Sequence, residues 1–250
     1  VYYTPEYIVR YIVENTIGKL IEGKTPTEVA EMNFADIACG SGSFLLGIYD
    51  YLLRWHSEYY NEVFEKPTPQ ENRRREARKA GCIENADGSF TLTIAQRREI
   101  LKNNVYGVDL DAQAVEVAQL SLALKLLEDA TTATTRAFQP KLGEKLLPDM
   151  TKNIVCGNSL VDWDILDGQL FERNEERKLN PLSYADKFPE VMRRGGFDAI
   201  VGNPPYGAEL APIARTYLKR KFNLGTTDTA ALMMIQCVRQ TKSQKRIGLI

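Results

Sequence analysis

The segment "NFADIACGSGSFLLGIYDYLLRW", residues 33–55, joins a short apolar run, a turn with two glycines and a long apolar-periodic stretch. The apolar run predicts a buried strand, and the long stretch, with apolar residues at helical spacing, predicts a helix. A strand, a Gly-containing turn and a helix form the first half of a βαβ unit. This segment therefore predicts an α/β fold.

The pattern recurs along the chain. Further strands are predicted in "NVYGVDL" (104–110), "NIVCGNSL" (153–160), "FDAIVGNPPYG" (197–207) and from Ile247 onward, and helices over 111–129 and from about Asp228. Strands that alternate with helices indicate a doubly wound, mostly parallel Rossmann-like sheet. Because "KRIGLI" stops in the opening of a buried strand and residue 1 is Val, we expect a piece of a larger protein, with the sheet incomplete at its C-terminus.

Other segments predict additions to this sheet. A helix over 4–22 is expected to begin with the Thr4 hydroxyl as its cap and with Pro5 where no N–H is needed. Residues 57–102 form a polar insert that contains a predicted hairpin, "ENADGSFTLT" (84–93). Residues 130–150 and 168–190 are predicted as polar connections.

The composition excludes several classes of protein. The chain is 44% hydrophobic and 26% charged, and it has neither a membrane-length apolar run nor a signal-peptide pattern, so we expect a globular, cytoplasmic protein. Four cysteines without a CxxC pair and a single His predict no metal site. A net charge of -1 gives no global attraction to polyanions.

Polar residues follow the predicted strands where open α/β sheets bind ligands. Gly40 and Gly42 permit positive φ and a close ligand approach, although such a turn without any ligand is equally consistent with the glycines alone. Asp109 can accept hydrogen bonds from both hydroxyls of a ribose, and Leu110 can pack on an adenine face. Asn158 can donate and accept at an adenine edge, but a plain turn explains it as well.

The turn "NPPY", residues 203–206, follows the strand "FDAIV". Proline has no backbone N–H, so two adjacent prolines cannot both hydrogen-bond to a neighbouring strand. Each also disfavours helical conformation in the residue before it. The sequence therefore predicts a rigid, extended turn at the end of the strand.

Together these motifs resemble the γ-type N6-adenine DNA methyltransferases of Type IIG and Type I restriction-modification systems. In that family a "TPxxIV" segment precedes D-P-A-C-G-S-G-x-F-L, a G-x-[DE] tip, a G-[DN]-x-L tip and NPP[YFW]. This chain has "YTPEYIV", "DIACGSGSFL", "GVD", "GNSL" and "NPPY" in that order, over its whole length. Two departures stand out: Ile37 replaces the common Pro, and Asn158 replaces the common Asp.

The resemblance implies one catalytic methyltransferase domain over 1–250, with a cofactor half at 33–165 and the start of a target-base half at 197–250. It implies S-adenosylmethionine as cofactor and duplex DNA as partner, through a recognition domain that this chain lacks, together with a nuclease module or specificity subunit and no membrane. The implied cofactor-binding residues are Thr4, Asp36, Ala38, Gly40, Gly42, Asp109, Leu110, Asn158, Ser159 and Leu160.

The resemblance implies catalysis by Asn203, Pro204, Pro205 and Tyr206. The amine of adenine is a poor nucleophile because its lone pair is delocalised into the ring. The Asn203 side-chain oxygen and the Pro204 carbonyl would accept its two N–H groups, the prolines would fix their separation, and Tyr206 would stack on the extruded base.

Two other functions stay open at this point. Methyltransferases that act on RNA or on a protein glutamine also use NPPY, although "YTPEYIV" and "ACGSGSFL" favour DNA. A non-catalytic scaffold that binds S-adenosylmethionine is disfavoured by the intact NPPY.

Several charged residues have ordinary explanations. Asp111 and Asp228 are expected to cap helices, although Asp228 could also sit at the pocket edge. The basic run at 73–79 contains Glu76 and is expected to be a solvated helix face. For Lys219, Arg220 and Lys221, DNA phosphate contact and solvation remain equally open.

Overall fold

A five-stranded parallel sheet forms the centre of the protein. The computed structural model describes residues 4–65, 70–128, 148–167, 178–223 and 225–250, and of residues 65 and 70–74 it describes the backbone only. The strands are β1 (Phe34–Asp36), β4 (Val105–Asp109), β5 (Ile154–Cys156), β6 (Phe197–Gly202) and β7 (Thr241–Leu249), in the spatial order β5-β4-β1-β6-β7. A separate antiparallel pair consists of β2 (Cys82–Glu84) and β3 (Phe90–Leu92). The predicted parallel α/β fold is confirmed.

The order of the strands places a topological switch point beside β1. From β1 the chain builds outward through β4 to β5, and it then returns to the other side of β1 to build β6 and β7. Asp36 pairs in register with Gly107 of β4, and Ala35 with Ile200 of β6. Ligands of open α/β sheets bind at such a point, outside the carboxyl ends of the strands.

Helices cover both faces of the sheet. They are α1 (Glu6–Val13), α2 (Lys19–Ile21), α3 (Pro26–Ala30), α4 (Ser43–Glu65), α5 (Gln70–Lys79), α6 (Ile94–Asn104), α7 (Ala112–Leu127), α8 (Tyr184–Lys187), α9 (Pro189–Arg193), α10 (Pro212–Phe222) and α11 (Thr229–Gln240). A π-helical turn, Glu14–Gly18, joins α1 to α2, and Trp163–Leu166 form a 3-10 turn. Each face has its own core, one under α4 and α7 and the other under α10 and α11.

The first helix packs against the last strand. Gly248 in β7 lies so close to this helix that a side chain there would meet the methyl group of Thr16 at 2.4 Å and that of Ile12 at 2.8 Å. The start of the helix differs from the prediction, because Pro5 occupies the cap position and no side chain caps the helix. The Thr4 hydroxyl instead contacts Asn203, as described below.

The insert predicted as polar at 57–102 also contributes to the hydrophobic core. Helix α4 runs on to Glu65, and the insert contributes Phe64, Phe90 and Ile94 to the core under α4. The rings of Phe64 and Phe90 lie 4.7 Å apart between centroids. The predicted hairpin is confirmed, with Cys82 to Glu84 paired to Phe90 to Leu92.

Two other boundaries also differ. Strand β7 begins at Thr241 rather than at Ile247, because the polar residues before Ile247 form an exposed edge strand. Residues 184–193 form α8 and α9, which begin within the connection predicted at 168–190. Most of the other predicted connection, 130–147, and residues 168–177 lie outside the described residues.

Among the described residues no helix is both long and apolar enough to cross a bilayer.

Candidate functional site at the strand tips

Asp36 ends β1 and is almost completely buried, with 3% of its surface exposed. Its Oδ1 accepts a hydrogen bond from the Ala38 amide at 2.9 Å. The pKa of this carboxyl group is raised to about 7, chiefly by burial and in smaller part by the nearby Asp109, against the lowering effect of the Ala38 bond. The neighbouring strand makes room for it, since a side chain on Gly202 would lie 2.6 Å from Asp36 Oδ1.

The turn after β1 depends on its two glycines for different reasons. Both adopt the left-handed conformation, with φ of 51° at Gly40 and 95° at Gly42. A Cβ on Gly42 would lie 3.0 Å from the Cβ of Ala118, whereas a Cβ on Gly40 would meet nothing within 4 Å. Gly42 therefore permits close packing of the turn on α7, and Gly40 leaves open space.

Asp109 connects the tips of β4 and β1. Its Oδ2 accepts from the Gly40 amide at 2.7 Å, and its Oδ1 accepts from the Asp111 amide at 2.9 Å. A carboxylate has about four acceptor positions, so each oxygen keeps one for a ligand. Leu110, the next residue, is 52% exposed at the same edge. Asp111 caps α7 through Gln113, as predicted.

The tip of β5 is also tied to β1. The Ser159 hydroxyl donates to the Ile37 carbonyl, and Asn158 Oδ1 accepts from the Leu160 amide at 3.0 Å. Asn158 is half-buried, while the side chains of Ser159 and Leu160 are buried beneath the tip, with 5% and 4% of their surface exposed. At this tip the Asn158 amide is thus the side chain best able to meet a ligand.

Asn203 follows β6 and faces the start of α1. Its Nδ2 donates to the Thr4 hydroxyl at 3.3 Å. Its Oδ1 is buried and has no hydrogen-bond partner among the described residues. Buried polar atoms are nearly always paired, whereas this oxygen at the switch point is an acceptor without a partner in the described part of the chain.

The proline turn is fixed from behind by Thr229, a residue that the sequence did not single out. The Thr229 hydroxyl donates to the Pro205 carbonyl at 2.8 Å and accepts from the Ala208 amide at 3.2 Å. Thr229 is 2% exposed at the start of α11, directly after Asp228, whose side chain caps this helix. No hydrogen bond among the described residues uses the Pro204 carbonyl.

Tyr206 lies at the outer end of the turn. Its side chain is 64% exposed, and its hydroxyl donates to the carbonyl of Ile250. Around the switch point the structure thus gathers Thr4, Asp36, Gly202 and Asn203, with Gly40, Asp109 and Asn158 on the neighbouring tips.

The described residues contain no cluster of three or more His, Cys, Asp or Glu side chains able to hold a metal ion. The single His, His56, is buried in α4, where its Nδ1 lies 2.7 Å from the Leu52 carbonyl oxygen. Burial lowers its pKa.

The sequence profile described as "Eco57I restriction-modification methylase" matches residues 103–250, more than half of the chain. The chain belongs to the Eco57I restriction-modification methylase family. The profile includes β4, β5 and the proline turn, while β1 with its glycine turn lies before the matched region.

Two curated relatives extend this likeness. The type II restriction enzyme and methyltransferase RM.Eco57I of Escherichia coli is 31% identical over 224 residues, which make up 88% of this chain and 19% of the relative. The adenine-specific methyltransferase PglX of Streptomyces coelicolor is 25% identical over 210 residues, 81% of this chain and 14% of PglX. The chain thus spans less than a fifth of the length of these relatives.

Solved structures of two restriction-modification enzymes resemble this chain in fold. A nuclease-deletion mutant of the Type ISP restriction-modification enzyme LlaGI, in complex with a DNA substrate mimic, matches all of this chain and 18% of its own at a TM-score of 0.55 and 14% identity. The DrdV–DNA complex matches all of this chain and 20% of its own at a TM-score of 0.54 and 16% identity. At these identities the likeness extends to the fold alone.

Proposed function

We propose that the chain is the catalytic domain of a DNA methyltransferase that methylates the exocyclic amine of an extruded adenine, within a restriction-modification or phage-defence enzyme. Family membership supports the class of enzyme. The unpaired, buried Oδ1 of Asn203 is the observation that carries the proposal for the reaction. The proposed setting is the cytoplasm, with a recognition domain and a nuclease module or specificity subunit as partners.

The proposed role of Asn203 is to accept one N–H of the target amine, while the Pro204 carbonyl accepts the other. These two bonds draw the lone pair of the amine back onto nitrogen, where it can attack. The Thr4 hydroxyl supports this role because it holds Nδ2 and so directs Oδ1 toward the target. Acceptors that are already oriented need little reorganisation during the reaction, which lowers its barrier.

Tyr206 is proposed to stack on the extruded base. Extrusion from a duplex costs a few kcal/mol, and stacking on an aromatic side chain returns about 1–3 kcal/mol. Its 64% exposure beside the proline turn leaves the ring available to a base.

The strand tips fit S-adenosylmethionine, which when bound would supply a methyl group on a sulfonium. Gly40 leaves open space above the turn, and the free acceptor positions of Asp109 suit ribose hydroxyls. The exposed Leu110 offers an apolar surface to adenine, and the Asn158 amide can hydrogen-bond its edge. Thr4 also lines a cavity of about 280 Å³ between α1 and α4, beside the place proposed for the methionine end.

No general base is proposed. Transfer of the methyl group leaves a positively charged ammonium, which is acidic and can lose one N–H proton on the Asn203 side or to water to give the neutral methylated amine. The buried His56, bonded within its own helix, is left out of the reaction.

The test is Asn203→Ala in the full-length protein. We expect cofactor affinity measured by calorimetry to stay within about threefold, while methyl transfer to duplex DNA falls by roughly 100-fold or more, the loss typical of removing one stabilising group. Asn203→Asp keeps an oxygen acceptor and should retain more activity than Asn203→Ala. Asn15→Ala, which removes an amide from the N-terminal helix, is the control.

Equal losses of cofactor affinity and turnover in Asn203→Ala would refute the role given to Asn203. The same protein is also offered RNA and a glutamine-containing protein substrate. Methyl transfer to either of these, with none to DNA, would replace the proposed substrate.

A further inference from the structure

Helix α10 carries four basic residues and no acid in the sequence "PIARTYLKRKF", residues 212–222. Arg215, Lys219 and Arg220 are exposed, and none of the three forms an ion pair among the described residues. Arg215 and Lys219 are four positions apart and so share one stripe of the helix, with Arg220 next to it on the exposed side. These three residues define the basic face of α10.

The buried side of α10 fixes its position near the strand tips. The helix begins soon after the proline turn that follows β6. Its Tyr217 hydroxyl accepts from the Asp162 amide at 3.2 Å, and Lys221 Nζ donates to the Leu160 carbonyl at 3.3 Å, both in the loop that follows β5. These contacts attach α10 to the carboxyl edge of the sheet, the same edge that carries the proposed target-base site.

The basic face differs from the other basic clusters of this chain. In α5, Arg75 and Lys79 both lie within 4 Å of Glu76, at 3.9 and 3.6 Å. Elsewhere Arg54 pairs with Glu14, and Lys125 with Asp50. The net charge of the chain is only -1, so a helix with unpaired basic residues is a local feature rather than a consequence of overall composition.

Two acids in the loop after β5, Asp162 and Asp164, lie against the buried side of α10. Asp162 Oδ1 accepts from the Trp163 amide, and Asp164 Oδ1 accepts from the Tyr217 hydroxyl. Both lie on the side of Lys221, whose pKa burial lowers despite their presence. The helix dipole favours cations in the last turn, which accounts in part for Lys219 and Arg220 but not for Arg215 near the N-terminal end of the helix.

We propose that the basic face of α10 binds backbone phosphates of duplex DNA beside the extruded base. The inference rests on the proposed function and adds the surface that holds the duplex next to the catalytic turn. Phosphate contacts fix the register of a protein on DNA without reading its sequence. Each phosphate neutralised on B-DNA releases counterions and contributes about 0.9 to the slope of log affinity against log salt.

The experiment measures duplex affinity of the full-length protein as a function of salt. In the variant Arg215→Gln/Lys219→Gln/Arg220→Gln we expect the slope to fall by roughly 2 to 3, by about 1 for each residue. The loss of affinity should be equal for duplexes with and without the recognition sequence, since phosphate contacts are independent of sequence. Cofactor affinity should not change.

The matched control, Arg75→Gln/Arg78→Gln/Lys79→Gln, makes the same change of charge on exposed residues of α5. An equal fall in its slope would mean that net charge, not the basic face, sets the affinity, and it would overturn the inference. An unchanged slope in the α10 variant would overturn it as well, while methyl transfer by the wild type would still support the proposed function. A wild-type protein that neither binds nor methylates DNA would remove both proposals.

Discussion

The contact between Thr4 and Asn203 joins side chains that are 199 positions apart in the chain. The Thr-Pro-Glu pattern predicts a helix cap because that pattern reports only its own neighbourhood. In the structure a longer-range bond takes the hydroxyl, and the helix begins without a side-chain cap. Thr229 was missed for the same reason, since its hydroxyl serves a turn more than twenty residues earlier. In contrast, Asp111 and Asp228 cap their helices as predicted, because a cap depends on residues within one helical turn.

Thr229 is predicted to position the catalytic turn rather than to touch the substrate. Thr229→Val preserves the shape of the side chain but removes both hydrogen bonds, so we expect a loss of about 1–2 kcal/mol in the free energy of unfolding. Turnover should fall while the KM for the cofactor stays the same. Thr229→Ser restores the hydroxyl and should restore turnover. A Val variant with wild-type turnover would show that the prolines alone hold the turn.

Asp36 makes stability depend on pH. Its carboxyl group has a pKa of about 7 in the folded protein against 3.8 as an ordinary Asp, so the folded state retains a proton that the unfolded chain has lost between these values. The free energy of unfolding should therefore fall as the pH rises from about 4 to 7, by on the order of 4 kcal/mol, and then level off.

Asp36→Asn cannot ionise but can still accept the bond from Ala38. Urea unfolding of the cofactor-free protein across this pH range should show a flatter profile for the variant than for the wild type. The free energy of unfolding of the variant is subtracted from that of the wild type at each pH. If this difference rose between pH 4 and 7, it would contradict the raised pKa.

At the level of secondary structure, the strands with apolar sequences were predicted correctly because burial on both faces of a parallel sheet demands such runs. Strand β7 was predicted six residues too short because "TKSQKR" is polar and lies at an exposed edge, where burial imposes no pattern. The short helices α8 and α9 were missed for a different reason. Each is only one turn long, which is too short to display helical periodicity.

The glycine turn offers a matched pair of substitutions. Gly40→Ala and Gly42→Ala both place an alanine at positive φ, but only the second creates a close contact, with Ala118 on α7. We expect Gly40→Ala to cost about 1 kcal/mol of unfolding free energy and Gly42→Ala to cost roughly 1–3 kcal/mol more, measured by chemical denaturation.

Cofactor titration separates the two glycines further. Gly40→Ala adds a methyl group to the open space proposed for the cofactor. The variant should therefore lose more free energy of S-adenosylmethionine binding than free energy of unfolding. If both variants lost the same stability, the packing of the turn on α7 would not be the constraint at Gly42.

At the level of the whole molecule, alternation of strands and helices predicted the class of fold but not the order of strands in the sheet. The return of the chain to the far side of β1 depends on which faces the helices cover, and several orders satisfy the same pattern. The order nevertheless decides the site, because it brings β6 and Asn203 beside Asp36. The resemblance to a family named the candidate residues, and the structure adds how the strand tips that carry them are connected.

We predict that residues 1–250 alone bind duplex DNA weakly and without sequence preference, and methylate it poorly. A net charge of -1 gives no overall attraction to DNA, and the solved structures of similar fold are about five times as long as this chain. Fluorescence anisotropy with a duplex, compared between residues 1–250 and the full-length protein, tests this. Robust sequence-specific methylation by residues 1–250 alone would contradict the prediction.

The packing of Ile12 and Thr16 beneath Gly248 has a consequence for biosynthesis. A ribosome that adds 5–20 residues per second reaches Gly248 roughly ten seconds to a minute after it has made that helix. Throughout this interval the apolar side of the helix lacks its final neighbour. The nascent polypeptide therefore leaves this side of the helix uncovered until β7 emerges from the exit tunnel.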